Sequence, residues 1–313
     1  MKISIIGAGN VGSLTAMRLA QEGVGEIVLI DIAKGLAQGK CLDLDDGRSI
    51  LKCDYCIEGS SDLDKIKDSD IVVITAGLAR KPGMSREELL NKNAQIIKEI
   101  SLNIKRLCPQ AVVIVVTNPL DLMTYLVLKT TGFKPSKVFG MGVSLDGARF
   151  ANLIAKELNI PVADIEATVI ASHGEGMLPL PRFTTVKGVR LNEFLDDKKI
   201  EFLVERTFKR GLEILTLLGS GSAYFAPSAA AAALVKAVAK NEKRVIGICV
   251  YLNGEYGLND VCIGVPCCLG KDGIEKIIEL DLNKEEKDKL NKSADTIREL
   301  IRQLPLFCQP VSA

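Results

Sequence analysis

Short apolar runs alternate with longer amphipathic stretches through the first half of the chain. The predicted strands are Lys2–Ile6, Glu26–Ile30, 54–58, Ile71–Ile74 and 112–116. The predicted helices are 11–22, 35–45 and Arg86–Leu107, the last of which ends before a proline. Uninterrupted β-branched runs suit strands that are covered on both faces. Strand–helix–strand repetition of this kind predicts an α/β fold with a doubly wound parallel sheet.

The pattern changes after about residue 140. The predicted helices there are 145–158, 201–218, 223–239 and 284–302. The predicted strands are 165–171 and a pair, 244–252 and 261–269, joined by a turn-rich segment. Paired strands among helices predict an α+β arrangement. We therefore expect two domains, 1–140 and 141–313, the second of which carries the substrate and the catalytic groups.

The composition narrows the class of partner. The chain has 313 residues and a formal net charge of +1, so it has no basic field that would attract nucleic acid. Aromatic residues make up 4%, which disfavours base stacking. No run is long and apolar enough for a membrane span, and no charged-then-apolar leader is visible. The nine cysteines are expected to be reduced and mostly buried, so we predict a cytoplasmic protein.

Two cysteine pairs need an interpretation. Cys53 and Cys56 have the CxxC spacing, in what the pattern predicts to be a short strand, where their side chains face opposite sides. Cys267 and Cys268 lie in a predicted strand and are expected to pack there. No histidine or further pair stands at zinc-site spacing, so no metal site is predicted.

A glycine-rich turn follows the first predicted strand and opens the first predicted helix. Gly7, Gly9 and Gly12 have the spacing G-x-G-x-x-G in the context that this fingerprint requires. The glycines allow a tight turn, approach of a pyrophosphate and close packing of helix on strand, and the helix N-terminus stabilises the phosphates. Asp31 ends the second predicted strand, where a carboxylate binds ribose hydroxyls and repels a 2′-phosphate. These features predict a Rossmann domain that binds NAD rather than NADP.

The chain contains one histidine, His173, in a loop after a predicted strand. A lone histidine is often only a packed core residue. A nicotinamide cofactor, however, needs one proton handled for each hydride, and imidazole does this near neutral pH. Two further polar segments, 75–86 and 117–121, follow the fourth and fifth predicted strands, where ligands bind in this architecture. A third, 145–150, opens a predicted helix.

With these motifs in this order, the chain resembles the lactate/malate dehydrogenase family from Met1 to about Leu304, and within it the malate dehydrogenases of lactate-dehydrogenase-like type. The resemblance implies that His173 transfers the proton, that Asp146 orients it and that Arg86 polarises the reacting carbonyl. It implies substrate contacts from Arg80, Arg86, Asn118 and Arg149. It implies cofactor contacts from Gly7, Gly9, Asn10, Val11, Gly12, Asp31, Thr75, Ala76, Gly77, Asn93, Thr117 and Asn118.

The resemblance also bears on the substrate. Arg80 stands where the lactate enzymes of this family usually have glutamine, and Ala223 stands where they tend to have threonine. A second buried carboxylate needs a cation, so Arg80 favours a dicarboxylate, malate or oxaloacetate. We expect an NAD-dependent malate dehydrogenase, with a lactate dehydrogenase or another 2-hydroxy acid dehydrogenase as the alternative. The family implies a homodimer or a homotetramer.

Two other readings fit less well. A metal-dependent glycosidase of the same fold needs metal-ligating cysteine and histidine. A non-enzymatic NAD sensor would lack the histidine, aspartate and arginine set. The chain departs from the family at Ser172 and Glu175, which flank the histidine, and in residues 307–313, which are expected to form a flexible tail.

Overall fold

The computed structural model describes residues 1–78, 86–219 and 221–304. Its helices are α1 (Asn10–Gln21), α2 (Leu36–Asp46), α3 (Arg48–Leu51), α4 (Arg86–Leu107), α5 (Leu120–Thr131), α6 (Val143–Leu158), α7 (Asp197–Leu218), α8 (Phe225–Ala239) and α9 (Lys284–Gln303). Its strands are β1 (Lys2–Ile6), β2 (Glu26–Ile30), β3 (Ile57–Ser60), β4 (Ile71–Ile74), β5 (Val112–Val115), β6 (Val138–Gly140), β7 (Ile165–Glu166), β8 (Val169–Ala171), β9 (Met177–Pro179), β10 (Thr185–Val186), β11 (Val189–Arg190), β12 (Arg244–Asn253), β13 (Asn259–Gly270) and β14 (Gly273–Ile277).

Six parallel strands form one side of the main sheet, in the order β3-β2-β1-β4-β5-β6. Ile5 of β1 lies opposite Leu29 of β2 on one side and Val73 of β4 on the other. The chain therefore leaves β1 in one direction and returns at β4 to continue in the other. Such a reversal opens a crevice at the carboxyl ends of the two strands, where ligands bind. The predicted doubly wound parallel sheet is confirmed.

The central strands are buried on both faces, as their sequences predict. Every residue of β4 and β5 is buried, and the inner face of α4 packs Ile97 and Ile104 into the same core. The predicted bounds of β1, β2, β4 and α4 agree with the structure. Continuous apolar runs suit helix-covered strands because neither face meets water.

The other side of the sheet is antiparallel. β12 follows β6, and β13, β8 and β9 come next, with β14 paired to β13. β12 and β13 form the predicted hairpin, in which Cys249 lies opposite Gly264, and Cys249 also lies opposite Gly140 of β6. The α+β character predicted for this part is confirmed. One sheet thus runs from the parallel strands into the antiparallel ones.

Neither α5 nor β6 was predicted from the sequence pattern. Every residue of α5 from Leu120 to Leu128 is buried, so this stretch has no solvent-exposed face that would mark it as a helix. At 12 residues it is also shorter than a bilayer requires. No other helix in the described ranges is long and apolar enough to cross a membrane.

Two further predictions were wrong in detail. The predicted strand 165–171 is two short strands, β7 and β8, which pair with different partners. Cys53 and Cys56 do not lie in a strand: they precede β3, which begins at Ile57. Cys267 and Cys268 do lie in a strand, β13.

Helix α8 packs across α1 and so joins the later part of the chain to the glycine-rich turn. Small side chains allow the close approach: Ala231 and Ala232 are buried on α8, and Ala16 and Ala20 are buried on α1. An ion pair of 2.6 Å between Lys236 and Glu22 lies at the edge of this contact. The alanine-rich run of α8 therefore lies in a close contact between two helices.

Candidate active site

In the glycine-rich turn between β1 and α1, two glycines have no space for a side chain and the third does. Gly7 has φ +111°, a left-handed conformation that favours glycine. A Cβ on Gly12 would lie 1.8 Å from the carbonyl oxygen of Gly7, whereas a Cβ on Gly9 would meet no described atom within 4 Å. No side chain in the described ranges caps α1, whose first residues are Asn10 and Val11. The turn therefore leaves an accessible backbone surface and free helix amides, which suit a phosphate group.

Asp31, at the end of β2, holds this turn. Its Oδ2 accepts a hydrogen bond of 2.7 Å from the backbone nitrogen of Ala8, and its Oδ1 accepts one of 2.9 Å from Ala33. On the other side of Ala8, Lys40 of α2 donates from Nζ to the Ala8 carbonyl at 2.7 Å. An anion and a cation thus flank Ala8. Nothing in the sequence pattern pointed to Lys40, because α2 is far along the chain from the turn.

The segments that follow β4 and β5 are tied to the turn by threonine hydroxyls. Thr75 Oγ1 donates to the Gly7 carbonyl at 2.9 Å, and Thr117 Oγ1 donates to the Ala76 carbonyl at 2.7 Å. A Cβ on Gly77 would lie 2.7 Å from Cγ2 of Thr117. Three of the predicted cofactor segments therefore meet at one edge of the sheet.

Asn93 joins two of these segments from α4. Its Oδ1 accepts from the Leu78 backbone nitrogen at 2.8 Å, and its Nδ2 donates to the Asn118 carbonyl at 3.1 Å. Asn93 is buried, whereas the Asn118 side chain is exposed and is followed by a cis peptide bond to Pro119. Asn93 thus positions the backbone on which Asn118 is presented.

His173, Asp146 and Arg149 form one hydrogen-bonded group. His173 Nδ1 lies 2.8 Å from Asp146 Oδ2, and Arg149 Nη1 donates to Asp146 Oδ1 at 3.2 Å. Asp146 is fully buried in the first turn of α6, one turn before Arg149. Since Nδ1 is engaged by the carboxylate, Nε2 is the imidazole nitrogen left to exchange a proton with a ligand.

The charge state of His173 follows from opposing effects. Burial disfavours the charged imidazolium, but the carboxylates of Asp146 and Asp121 outweigh this and raise the pKa of His173 above its ordinary value. The guanidinium of Arg149 acts in the opposite direction. The group is therefore suited to hold a proton near neutral pH.

Two more side chains contact the histidine loop: Asp121, which ends the predicted ligand segment 117–121 but had no predicted role, and Ser293, which was not predicted. Asp121 Oδ2, on α5, accepts from the backbone nitrogen of His173 at 2.9 Å. Ser293 Oγ, on α9, accepts from the backbone nitrogen of Ser172 at 3.1 Å. Asp121 is an acid within an apolar run, which was the available signal; Ser293 stands far away in sequence and had none.

The structure describes only some of the other residues that the family resemblance singles out. Arg80 lies outside the described residues, and so do residues 305–313 with the expected tail. Arg86 begins α4, but its side chain also lies outside the described part. Ala223 is found in the segment between α7 and α8.

The described side chains thus supply a proton carrier held by a buried carboxylate, a guanidinium next to it and an open glycine turn. This set suits proton transfer beside an anionic ligand and a phosphate-bearing cofactor. No group of three or more histidine, cysteine, aspartate or glutamate side chains in the described ranges is placed to hold a metal ion.

Family models match almost the whole chain. Residues 1–140 match the model of the lactate/malate dehydrogenase NAD binding domain, and residues 143–307 match that of the lactate/malate dehydrogenase alpha/beta C-terminal domain. Over 305 residues the chain is 50% identical to a protein named malate dehydrogenase from Methanosarcina barkeri. The match covers 97% of this chain and 99% of that protein.

Solved structures of the same fold carry both enzyme names. The malate dehydrogenase of Cryptosporidium parvum superposes with a TM-score of 0.93 at 38% identity, over 97% of this chain and 98% of the other. The lactate dehydrogenase of Eimeria maxima, solved with NADH and oxamate, gives a TM-score of 0.93 at 36% identity, over 96% and 93% of the two chains. The fold alone therefore does not separate the two substrates.

Proposed function

Because the chain belongs to the lactate/malate dehydrogenase family, we propose that it is an NAD-dependent malate dehydrogenase that interconverts malate and oxaloacetate. The observation that carries the proposal is the contact of 2.8 Å between His173 Nδ1 and the buried Asp146, with Arg149 on the other oxygen of that carboxylate. The relatives named malate dehydrogenase support the choice of substrate.

In the proposed reaction the bound nicotinamide supplies or accepts the hydride. His173 Nε2 donates a proton to the substrate oxygen during reduction and takes it back during oxidation. Asp146 fixes the imidazole tautomer and stabilises its charged form, as a carboxylate does for a catalytic histidine elsewhere. The proton therefore moves at one defined nitrogen of one side chain.

Arg149 is the proposed partner of the substrate's first carboxylate. Its Nη1 is engaged by Asp146, and its Nε is buried without a hydrogen-bond partner among the described residues. A buried donor without a partner is costly, and a planar carboxylate can accept from such a guanidinium. The family resemblance assigns the second carboxylate to Arg80 and the reacting carbonyl to Arg86 and Asn118.

The described residues also fit NAD. The open turn at Gly9 and the free amides of α1 suit a pyrophosphate, and each oxygen of Asp31 accepts only one protein hydrogen bond in the described ranges. The carboxylate therefore has capacity for ribose hydroxyls and would repel a 2′-phosphate. We propose NAD over NADP on this ground, although Lys40 is a cation near the same turn.

The test is NADH oxidation with oxaloacetate and with pyruvate, each repeated with NADPH. The proposal requires oxaloacetate and NADH to give the highest kcat/KM. Arg80→Gln should then move the oxaloacetate-to-pyruvate ratio by at least about 10²-fold, equivalent to about 2.7 kcal/mol, because the second carboxylate loses its cation. A preference for pyruvate in the unaltered chain would make it a lactate dehydrogenase, and equal use of both cofactors would refute the role of Asp31.

Three wider expectations stay proposals. We propose a homodimer or homotetramer, supported by exposed apolar side chains such as Leu42, Ile50 and Leu217, and sedimentation measurements test it. We propose a cytoplasmic location, which cell fractionation tests. We also propose that residues 1–140 form the NAD-binding domain and residues 141–313 the substrate domain, which limited proteolysis tests.

A further inference from the structure

The loop that carries His173 is held by side chains from two helices outside it. Ala171, just before it, has φ +73°, an unusual conformation for alanine. The next two backbone nitrogens each donate to a side chain: that of Ser172 to Ser293 of α9, and that of His173 to Asp121 of α5. Two distant elements therefore fix the backbone from which the imidazole projects.

The two contacts differ in charge. Ser293 contributes a neutral hydroxyl, whereas Asp121 contributes a carboxyl that is 5% exposed. Asp121 Oδ1 is buried, and the neutral thiol of Cys249 is the side-chain donor beside this carboxyl among the described residues. A structural contact to one backbone nitrogen needs only one acceptor, so a neutral side chain would serve. A buried carboxyl that no cation neutralises directly is costly, which points to a role for its charge.

The charged and titratable groups around this carboxyl come from three other elements. Asp146 lies on α6, and His173, on which Arg149 of α6 also acts, follows β8. The thiol of Cys249, on β12, lies beside Asp121, and burial, Cys262 and Asp121 keep the pKa of this thiol well above its ordinary value. Since the thiol stays neutral, Asp121 and Asp146 are the two acids that act on the imidazole.

We propose that Asp121 is a positioning residue for the proton transfer: it holds the His173 backbone and, together with Asp146, stabilises the protonated imidazole. Asp146 acts on the ring through Nδ1, and Asp121 acts on the same residue from the backbone side. Burial raises the pKa of Asp121 to about 6, so the carboxyl is ionised above that pH, where its charge favours the imidazolium.

The first measurement exploits the single histidine, whose imidazole NMR signals need no assignment in the untagged chain. Asp121→Asn keeps the acceptor oxygen and the volume but removes the charge, so its His173 titration midpoint should move to lower pH. Ser293→Ala, the matched control, removes the neighbouring contact without changing charge, and its midpoint should stay where it is in the unaltered chain. Equal midpoints in Asp121→Asn and the unaltered chain would overturn the proposal.

The second measurement is kinetic and rests on the proposed function. Reduction of oxaloacetate needs the protonated imidazole, and oxidation of malate needs the neutral one. In Asp121→Asn, kcat/KM for reduction at alkaline pH should fall by roughly tenfold, and the oxidation limb should extend to lower pH. Ser293→Ala should not move either limb. If neither reaction is catalysed but the NMR midpoint still shifts, the proposed function fails and the role of Asp121 toward His173 stands.

If Asp121→Asn does not fold, Asp121→Ser gives a second test, because it also removes the charge while keeping a hydroxyl acceptor. Its His173 titration midpoint should likewise move to lower pH, and an unchanged midpoint would contradict the proposal.

Discussion

At the scale of single residues, His173 is the group on which the proposed chemistry depends. Its Nδ1 is held by Asp146, and the chain has no second histidine that could substitute. We predict that His173→Asn lowers kcat by roughly 10²–10⁴-fold, the usual contribution of a positioned general acid. NADH binding should be nearly unchanged, since the described contacts of the glycine turn do not include His173. Stopped-flow turnover and fluorescence titration of NADH check both parts; near-normal turnover would rule out the assigned role.

The buried charge of Asp121 is expected to favour the proposed proton transfer but to destabilise the fold. Its pKa in the folded chain is raised to about 6 from 3.8, because burial disfavours the charged form. The protonated Asp121 carboxyl therefore contributes its full share to the free energy of unfolding below about pH 3.8, and this contribution is lost as pH rises through about 6. At pH 8 the buried charge costs at most about 3 kcal/mol.

Asp121→Asn should thus be more stable than the unaltered chain at pH 8, and the gap should narrow as pH falls from 6 towards 4. Urea unfolding across this range measures the difference. Asp260→Asn is a suitable control, since Asp260 is partly exposed and paired with Lys129, and the pKa of its carboxyl is lowered. A gap that widens towards low pH would contradict the burial of an ionised Asp121.

At the scale of elements, one glycine of the turn between β1 and α1 is needed for packing and another for binding. A Cβ on Gly12 would meet the Gly7 carbonyl at 1.8 Å, and a Cβ on Gly9 would meet no described atom within 4 Å. Gly9 also has φ −67°, which alanine adopts without strain. Glycine is therefore required at these two positions for different reasons: at Gly12 for packing, and at Gly9 for the approach of a ligand to the backbone.

Gly12→Ala should destabilise the fold by roughly 1–3 kcal/mol or more, because the backbone has to move. Gly9→Ala should keep its unfolding free energy within about 0.5 kcal/mol but weaken NADH binding by at least about tenfold. Chemical unfolding and NADH titration of both variants test the pair. Normal NADH affinity in Gly9→Ala would mean that no phosphate approaches this backbone.

At the scale of the whole molecule, one sheet continues from the parallel strands to the antiparallel ones. β6 pairs with β12, and α8 packs on α1. These contacts couple the two halves, so we predict a single calorimetric unfolding transition. Excess NADH should raise its midpoint by several degrees, since a ligand at 100 times its Kd stabilises by about 2.7 kcal/mol. Gly9→Ala, whose binding is at least about tenfold weaker, should show at most about half of this increase at the same NADH concentration. Two resolved transitions would show that the halves unfold separately.

The sequence by itself determined the elements whose signal is local. The bounds of β1, β2, β4 and α4 follow from runs of apolar residues and from helical period, and both depend on neighbours along the chain. The glycine spacing, Asp31 and the single histidine could also be recognised in the sequence, because each of these features has few physical uses.

Only the tertiary structure decided which side chains meet. α5 was not predicted, because the stretch from Leu120 to Leu128 is buried and presents no solvent-exposed face, and its Asp121 reaches the His173 backbone only when β8 and α5 come together. Ser293 and Lys40 act through contacts that join distant parts of the chain. Periodicity reports which face of an element meets water, but it carries no information on the partners across the core. Those partners, Asp121 and Asp146, contact His173 and raise the pKa of its imidazole.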